Sequence, residues 1–190
     1  MIIHQIFIPI VYKSISDNPV WLEAIEFNKS KGYKVKLWNK QEILHLIHKE
    51  YPQFSLFVNS FPNDFWLVDF ARCLILHNYG GIYLDLDCKL IEEPDLSKNL
   101  SGYWDNPKTG RREPNNDFVY FKDRQLYIQY CWFCVERHRF NRMPTNWVCR
   151  KLLSIVGNKA MTAFKKKIQG VVIFHGYLRG TEASWLMLRH

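Results

Sequence analysis

Apolar and polar positions recur with two different periods along this chain. Residues 2–8, IIHQIFI, are a short apolar run of strand length, and YKVKLW at 33–38 alternates with the period of two of a half-buried strand. Between them, Asp17 or Asn18 followed by Pro19 marks a helix start, and WLEAIEFNKSKG runs as a helix to a stop at Gly32. QEILHLIHKE is a second helix that Pro52 closes. Asn63 or Asp64 caps the strongest helical pattern, FWLVDFARCLILHNYG, and Gly80 and Gly81 end it because glycine takes positive φ at little cost. IYLDLD is the next strand. SGYWD and DFVYFKD are two later ones, with the polar NPKTGRREPNN as the loop between them. Helical patterns occupy 124–139 and 145–156, and VVIFHGY is a last strand. Strands alternating with helices, without an internal repeat, predict an α/β sandwich on a mostly parallel sheet.

Composition narrows the class. At 190 residues and 22.8 kDa, a single domain spanning 1–190 is expected. A hydrophobic fraction of 47% supplies a core and excludes a disordered chain. The net charge of +8 favours an anionic partner: nucleic acid, a phosphate-bearing metabolite or an acidic membrane surface. Against nucleic acid, the aromatic residues fall at core positions and are not interleaved with a basic stripe. Lys165–Lys166–Lys167 reads as a solvated helix end. No apolar run approaches the roughly 20 residues of a membrane span. The opening MIIHQIFIPIV has no basic leader and carries His4 and Gln5, so it reads as a strand, and the expected setting is cytoplasmic with five reduced cysteines. Cys131 and Cys134 form a C-x-x-C with His138 and Cys149 nearby, which admits a zinc or redox reading. They lie inside an apolar helical pattern, LYIQYCWFCVERH, where buried packing is the better account.

The chemistry concentrates in YGGIYLDLDCKL at 79–90. On a strand, Asp85 and Asp87 share a face, while Leu84 and Leu86 share the other. Two carboxylates at that spacing repel each other and lose hydration, and a divalent cation relieves both costs. The carboxyl end of a strand is also where open α/β sheets gather ligands. The plain alternative is that one aspartate caps a turn and the other pairs with Lys89. In the preceding helix Asp69 and Arg72 lie on one face at i, i+3, either as an intrahelical ion pair or as a pair aimed at a sugar ligand. A metal-dependent phosphodiesterase using the same aspartates is a rival reading, though the further carboxylate–histidine set of a two-metal centre is missing.

VDFARCLILHNYGGIYLDLD resembles the D-x-x-R…Y-G-G-x-Y-x-D-x-D signature of family 32 glycosyltransferases, which include yeast-type α-1,6-mannosyltransferases and capsule or lipopolysaccharide transferases; clostridial glucosylating toxins share it. IIHQIFI resembles the family's opening I-I-H-Q-x-W strand, with Phe7 in place of tryptophan, and HGYLRGTEASWL its closing H…S-W element. The resemblance implies a GT-A fold and a metal-dependent, retaining transfer from a nucleotide sugar, a UDP-sugar favoured over GDP-mannose. The cofactor would be Mn²⁺ or Mg²⁺ and the acceptor a glycan, glycolipid or glycoprotein, with peripheral association with anionic surfaces and no nucleic-acid partner. By that likeness Asp85 and Asp87 hold the metal, joined by His175. Asp69 and Arg72 hold the donor sugar. His4, Gln5, Ile6, Tyr83 and Asp85 line the donor site, and Ser184 and Trp185 close over the diphosphate. Arg179 and Arg189 are further phosphate partners. Asn116 and Asp117 are acceptor-side or β-face candidates, for which an ordinary turn at the start of a strand is the better account. The chain is shorter than is usual for the fold, and its acceptor-binding segments are where reduction is expected.

Overall fold

A computed structural model describes residues 1–10, 12–106, 109–139, 156–167 and 171–179. In chain order the elements are β1 (Ile2–Ile6), α1 (Pro19–Ser30), β2 (Lys34–Trp38), α2 (Lys40–Glu50), α3 (Ser55–Asn59), α4 (Asp64–Tyr79), β3 (Ile82–Leu84) and β4 (Cys88–Leu90). They continue with β5 (Asn99–Asp105), β6 (Arg112–Tyr120), α5 (Gln125–Arg139), α6 (Asn158–Lys167), β7 (Val171–Ile173) and β8 (Tyr177–Arg179). Six strands form the main sheet in the order β2-β1-β3-β6-β5-β7, and β4 pairs with β8 in a second, two-stranded sheet. Within the main sheet β1 is parallel to β2 and β3, and β5 is parallel to β7, while β6 runs antiparallel to both its neighbours. The sheet is thus parallel apart from one reversed strand, as the alternating pattern predicts.

Local chemistry sets the helix ends. Asn18 Oδ1 accepts from the Val20 N–H, with Pro19 pre-set for the first turn of α1. Asn39 and Glu42 exchange side-chain and backbone hydrogen bonds of 2.9 Å each at the start of α2. Asn63 caps α4 through the Phe65 N–H. At its far end Gly80 and Gly81 take φ of 70° and 78°, and a Cβ on Gly81 would lie 2.5 Å from the Ile2 carbonyl oxygen. That close approach lets the chain reverse straight from α4 into β3 alongside β1.

α4 packs on one face of the sheet, where Ile6 and Tyr83 join Phe70, Leu74 and α5 residues such as Tyr130 and Cys134 in the larger core. The other face carries a smaller core of Ile3, Ile82, Leu84, Phe118 and Tyr177. Cys131 and Cys134 are fully buried free thiols, and burial raises both pKa values well above the ordinary range, which fits packing. Cys149 lies outside the described residues.

Several boundaries differ from the sequence expectation. The first strand ends at Ile6 and not residue 8. The acidic strand stops at Leu84, because Asp85 to Cys88 is a turn closed by a 3.1 Å bond from the Cys88 N–H to the Asp85 carbonyl. The two aspartates therefore do not share a strand face, and the turn, not the pleat, brings them together. The second part of the expected polar loop is strand: β6 begins at Arg112, so REPNN lies in a long hairpin with β5. VVIFHGY splits into β7 and β8 around residues 174–176. The helix expected at 145–156 falls outside the described residues except for Val156. No helix among the described residues is long and apolar enough to cross a membrane.

Candidate active site

The turn at Asp85–Cys88 leaves the carboxyl end of β3, and backbone bonds hold it in place. The Asp85 N–H donates to the Asp117 carbonyl at 2.8 Å, and Gln5 Nε2 donates to the Asp85 carbonyl at 3.2 Å. Behind it, Asn28 of α1 makes a two-point clamp on β4: its Nδ2 donates to the Cys88 carbonyl at 3.0 Å and its Oδ1 accepts from the Leu90 N–H at 2.8 Å. Gln5 and Asn28 are both fully buried. Burying two amides is costly without partners, so this placement fixes the turn against the rigid sheet.

On the α4 side, Arg72 is 3% exposed and pairs with Asp69 at 2.6 Å. The same guanidinium donates to the Asn116 carbonyl, lies 3.6 Å from Asp85, and sits 4.4 Å over the Tyr83 ring. Asn116 Nδ2 completes the group by donating to Asp69 at 3.0 Å. On the opposite side Asp117, 2% exposed, accepts from the Tyr177 hydroxyl at 2.9 Å and from the Arg179 guanidinium. Asn116 and Asp117 sit at a bulge, where Ser101 pairs with Val119 but Gly102 pairs with Asn115. The bulge sends consecutive side chains of one strand to two different partners, one toward α4 and one toward β8.

The electrostatics leave the acids under-compensated. Burial, opposed by Arg72 and reinforced by Asp85, pushes Asp69 up to about 6. Burial, opposed by Arg179, puts Asp117 at about 6 as well. Burial and then the Asp85 charge push Asp87 up to about 7. Asp87 has no ion-pair partner among the described residues, and Lys89, its sequence candidate, pairs with Glu23 at 2.5 Å instead. Among the described residues, Asp69, Asp85, Asp87 and Asp117 thus face only Arg72 and Arg179, a formal excess of two negative charges. A divalent cation of the hard, oxygen-seeking kind fits the two carboxylates of the turn. Asp85 and Asp87 would hold it.

Other expected site residues go elsewhere. His175 is exposed, bonds Arg112 through Nδ1 at 3.1 Å and lies 4.9 Å from the Tyr103 ring. No group of three His, Cys, Asp or Glu side chains placed for a metal exists among the described residues, so His175 does not join Asp85 and Asp87. The bend at 174–176 turns it toward the β5–β6 hairpin. His4 is buried in mid-strand, accepting from Trp38 Nε1 at 3.0 Å and packing against Gly81. It is a core residue; Ile6 is 3% exposed and likewise faces the α4 core. Of the opening strand only Gln5 reaches the acid turn. Ser184, Trp185 and Arg189 lie outside the described residues. Sequence reasoning missed Asn28, although a signal was present: Trp21, Ala24, Ile25 and Asn28 are the buried stripe of α1, and an asparagine on such a stripe demands partners.

Comparison with known proteins bears on this geometry. Residues 21–102 match the family model described as the glycosyltransferase sugar-binding region containing a DXD motif. Over that stretch the chain is similar to the glycosyltransferases this model describes. It is 38% identical over 69 residues to inositol phosphoceramide mannosyltransferase 1 of Schizosaccharomyces pombe, covering 35% of this chain and 22% of the relative. It is 32% identical over 88 residues to mannosyl phosphorylinositol ceramide synthase SUR1 of Saccharomyces cerevisiae, covering 45% and 22%. The matched stretch thus spans about a fifth of the length of these relatives. Among solved structures, the PaToxG glycosyltransferase aligns with a TM-score of 0.52 at 14% identity, over 87% of this chain and 68% of that one. This likeness supports a GT-A-type arrangement of the sheet and helices.

Proposed function

We propose that this chain forms the catalytic core of a metal-dependent glycosyltransferase that moves a sugar, with retention, from a nucleotide-sugar donor to a hydroxylated acceptor. The observation that carries the reading is the under-compensated pair Asp85 and Asp87 in a turn clamped at the end of β3, inside the stretch that matches the sugar-binding family. A divalent cation bound there supplies charge stabilisation to a departing diphosphate without a proton donor. The chain's own residues do the rest. Gln5 and Asn28 fix the turn, and the sealed Arg72–Asp69 pair behind it steadies Tyr83 and Asp85 on the donor side. The names of the relatives make a mannosyl donor the first to test, beside the UDP-sugars that the sequence favoured. An inositol-bearing glycolipid is the corresponding first acceptor.

The experiment is a thermal-shift titration with Mn²⁺ plus GDP or UDP, followed by donor hydrolysis across a panel of nucleotide sugars. Binding of N but not of the unfolded chain raises Tm, by an amount corresponding to about 2.7 kcal/mol at a hundredfold excess over Kd. Asp87→Ala and Asp85→Ala should each lower turnover at least ~10²-fold, the typical cost of one lost charge-stabilising contact. Because burial already disfavours its charge, Asp87→Ala should leave Tm unchanged or higher. Normal turnover in either purified variant would sink the assignment.

A further inference from the structure

The positive charge of the chain is concentrated in one stretch. Residues 136–167 hold nine of the 26 Lys and Arg but one of the 18 Asp and Glu, so this stretch alone carries the net +8 and the rest is neutral. Six of the nine stand on two helices. Arg137 and Arg139 are in the last turn of α5, and Lys159, Lys165, Lys166 and Lys167 are on α6.

Packing brings the two helices together. Phe164 of α6 lies 5.3 Å from the Tyr130 ring and 5.6 Å from the Phe133 ring of α5. Phe133 in turn lies under both the Arg137 guanidinium, at 5.3 Å, and the Lys167 ammonium, at 4.8 Å. Two cations held on one ring are at most about 10 Å apart, within a Debye length, so they repel each other. An anionic surface relieves that repulsion.

Apolar side chains border the same helices. Phe54 and Phe57 lay α3 along α5, at 4.9 Å from Trp132 and 5.3 Å from His138. Trp132 is 45% exposed, and Leu56 is 86% exposed although its neighbours Phe57 and Val58 are buried. Trp132 and Arg139 are seven residues apart and share the outward face of α5.

We propose that α3, α5 and α6 form a docking surface for an anionic phospholipid bilayer, with the cations on the headgroups and Leu56 and Trp132 at the headgroup–acyl boundary. Clustered Lys and Arg gain from the negative surface potential of such a bilayer, and Trp and Leu settle at that boundary. Nucleic acid carries the same charge, but it stacks its bases on aromatic platforms and gains nothing from a leucine so exposed. The surface lies on the flank of the candidate site: Asn116 Nδ2 is 3.0 Å from Asp69 and 3.5 Å from the Val156 carbonyl, just ahead of α6. The inference does not depend on what the acid turn catalyses.

Flotation of the full chain with vesicles of phosphatidylcholine, with and without phosphatidylserine, tests this. The chain should rise with the anionic vesicles, stay behind with the neutral ones, and be released by high salt. Lys159→Gln and Lys167→Gln alter exposed side chains, and each should weaken binding about fivefold, the gain from one cation at such a surface. Leu56→Ser should weaken it about threefold or more and leave the salt dependence unchanged, since the lost group is uncharged. Thermal midpoints of all three variants should match the parent's, which keeps lost docking apart from lost folding. No binding to anionic vesicles, equal binding to both kinds, or unchanged binding in all three variants overturns the proposal. An oligonucleotide that the parent binds in place of the anionic vesicles, with both lysine variants weakened toward it, overturns it too and assigns the surface to nucleic acid.

Discussion

Two guanidinium–carboxylate pairs flank the acid turn, and they are built in opposite ways. Arg72 and Asp69 stand one helical turn apart on α4, which runs through the double glycine into β3 and the turn itself. Arg179 and Asp117 are 62 residues apart and meet only because β8 is carried back against β4. The first pair is sealed, with the Arg72 side chain 3% exposed; the second is open, with Arg179 36% exposed. One half of the site is a contiguous cassette, and the other is assembled by the fold. The difference separates a half whose geometry the local chain dictates from one that depends on long-range pairing.

Removing each arginine should break the comparison most visibly. Arg72→Met leaves Asp69 as a buried charge beside Asp85 and should cost ~3–5 kcal/mol in denaturant unfolding, the usual result of orphaning one partner of a buried pair. Arg179→Met leaves Asp117 with the Tyr177 hydroxyl and the Phe118 N–H still bonded. Its cost should be smaller, ~1–3 kcal/mol, that of an imperfectly satisfied buried group. Equal losses would mean that the two halves are not differently sealed.

The same contrast explains what the sequence could reveal. The cassette was legible because its parts are close in the chain: a capped helix, two residues at i, i+3, two glycines and a short acidic stretch. Even so, the pleat argument placed Asp85 and Asp87 on one strand face, and the chain instead turns after Leu84 once β3 has reached its pairing limit with β6. The assembled half was nearly invisible. NNDFVY shows polar residues leading into an apolar run, which reads equally well as a turn, and nothing local says that Asn116 and Asp117 will diverge at a bulge. His4 was misassigned for a related reason. A histidine near the end of an apolar strand looks available, but its partner Trp38 comes from the neighbouring strand.

His4 sharpens the picture of the cassette side, because it packs where α4 turns into β3. Burial, with Lys36 nearby, lowers its pKa from 6.5 to about 4 despite a favourable contact with the Gly80 backbone. The folded value lies below the unfolded one, so its contribution to stability is fully present above pH 6.5 and is lost as pH falls toward 4. The full loss amounts to ~3 kcal/mol. The buried aspartates, raised by burial, act in the opposite direction over the same range. The clean readout is therefore the His4 imidazole itself, followed by NMR. Its protonation midpoint should fall near 4, and a midpoint near 6.5 would show that the packing of β1 against Gly80–Gly81 is not formed in solution.

The assembled half has a finer test at Gly102. A Cβ built there falls on the Asp117 carboxylate oxygen and 2.6 Å from the Tyr177 hydroxyl, so the bulge is open only to glycine. Both obstacles are side-chain ends, which shift more readily than backbone. Gly102→Ala should therefore cost ~1–3 kcal/mol, the range for overpacking, and not unfold the chain. Its effect should be local: Asp117 is pushed from Tyr177 and Arg179, while Asp69, Arg72 and Asn116 keep their bonds on the other side of β6. Amide chemical shifts of β8 and β4 should move and those of α4 should not. A shift pattern spread evenly over both would mean that β6 couples the two halves rigidly, and the division drawn between cassette and assembly would then fail.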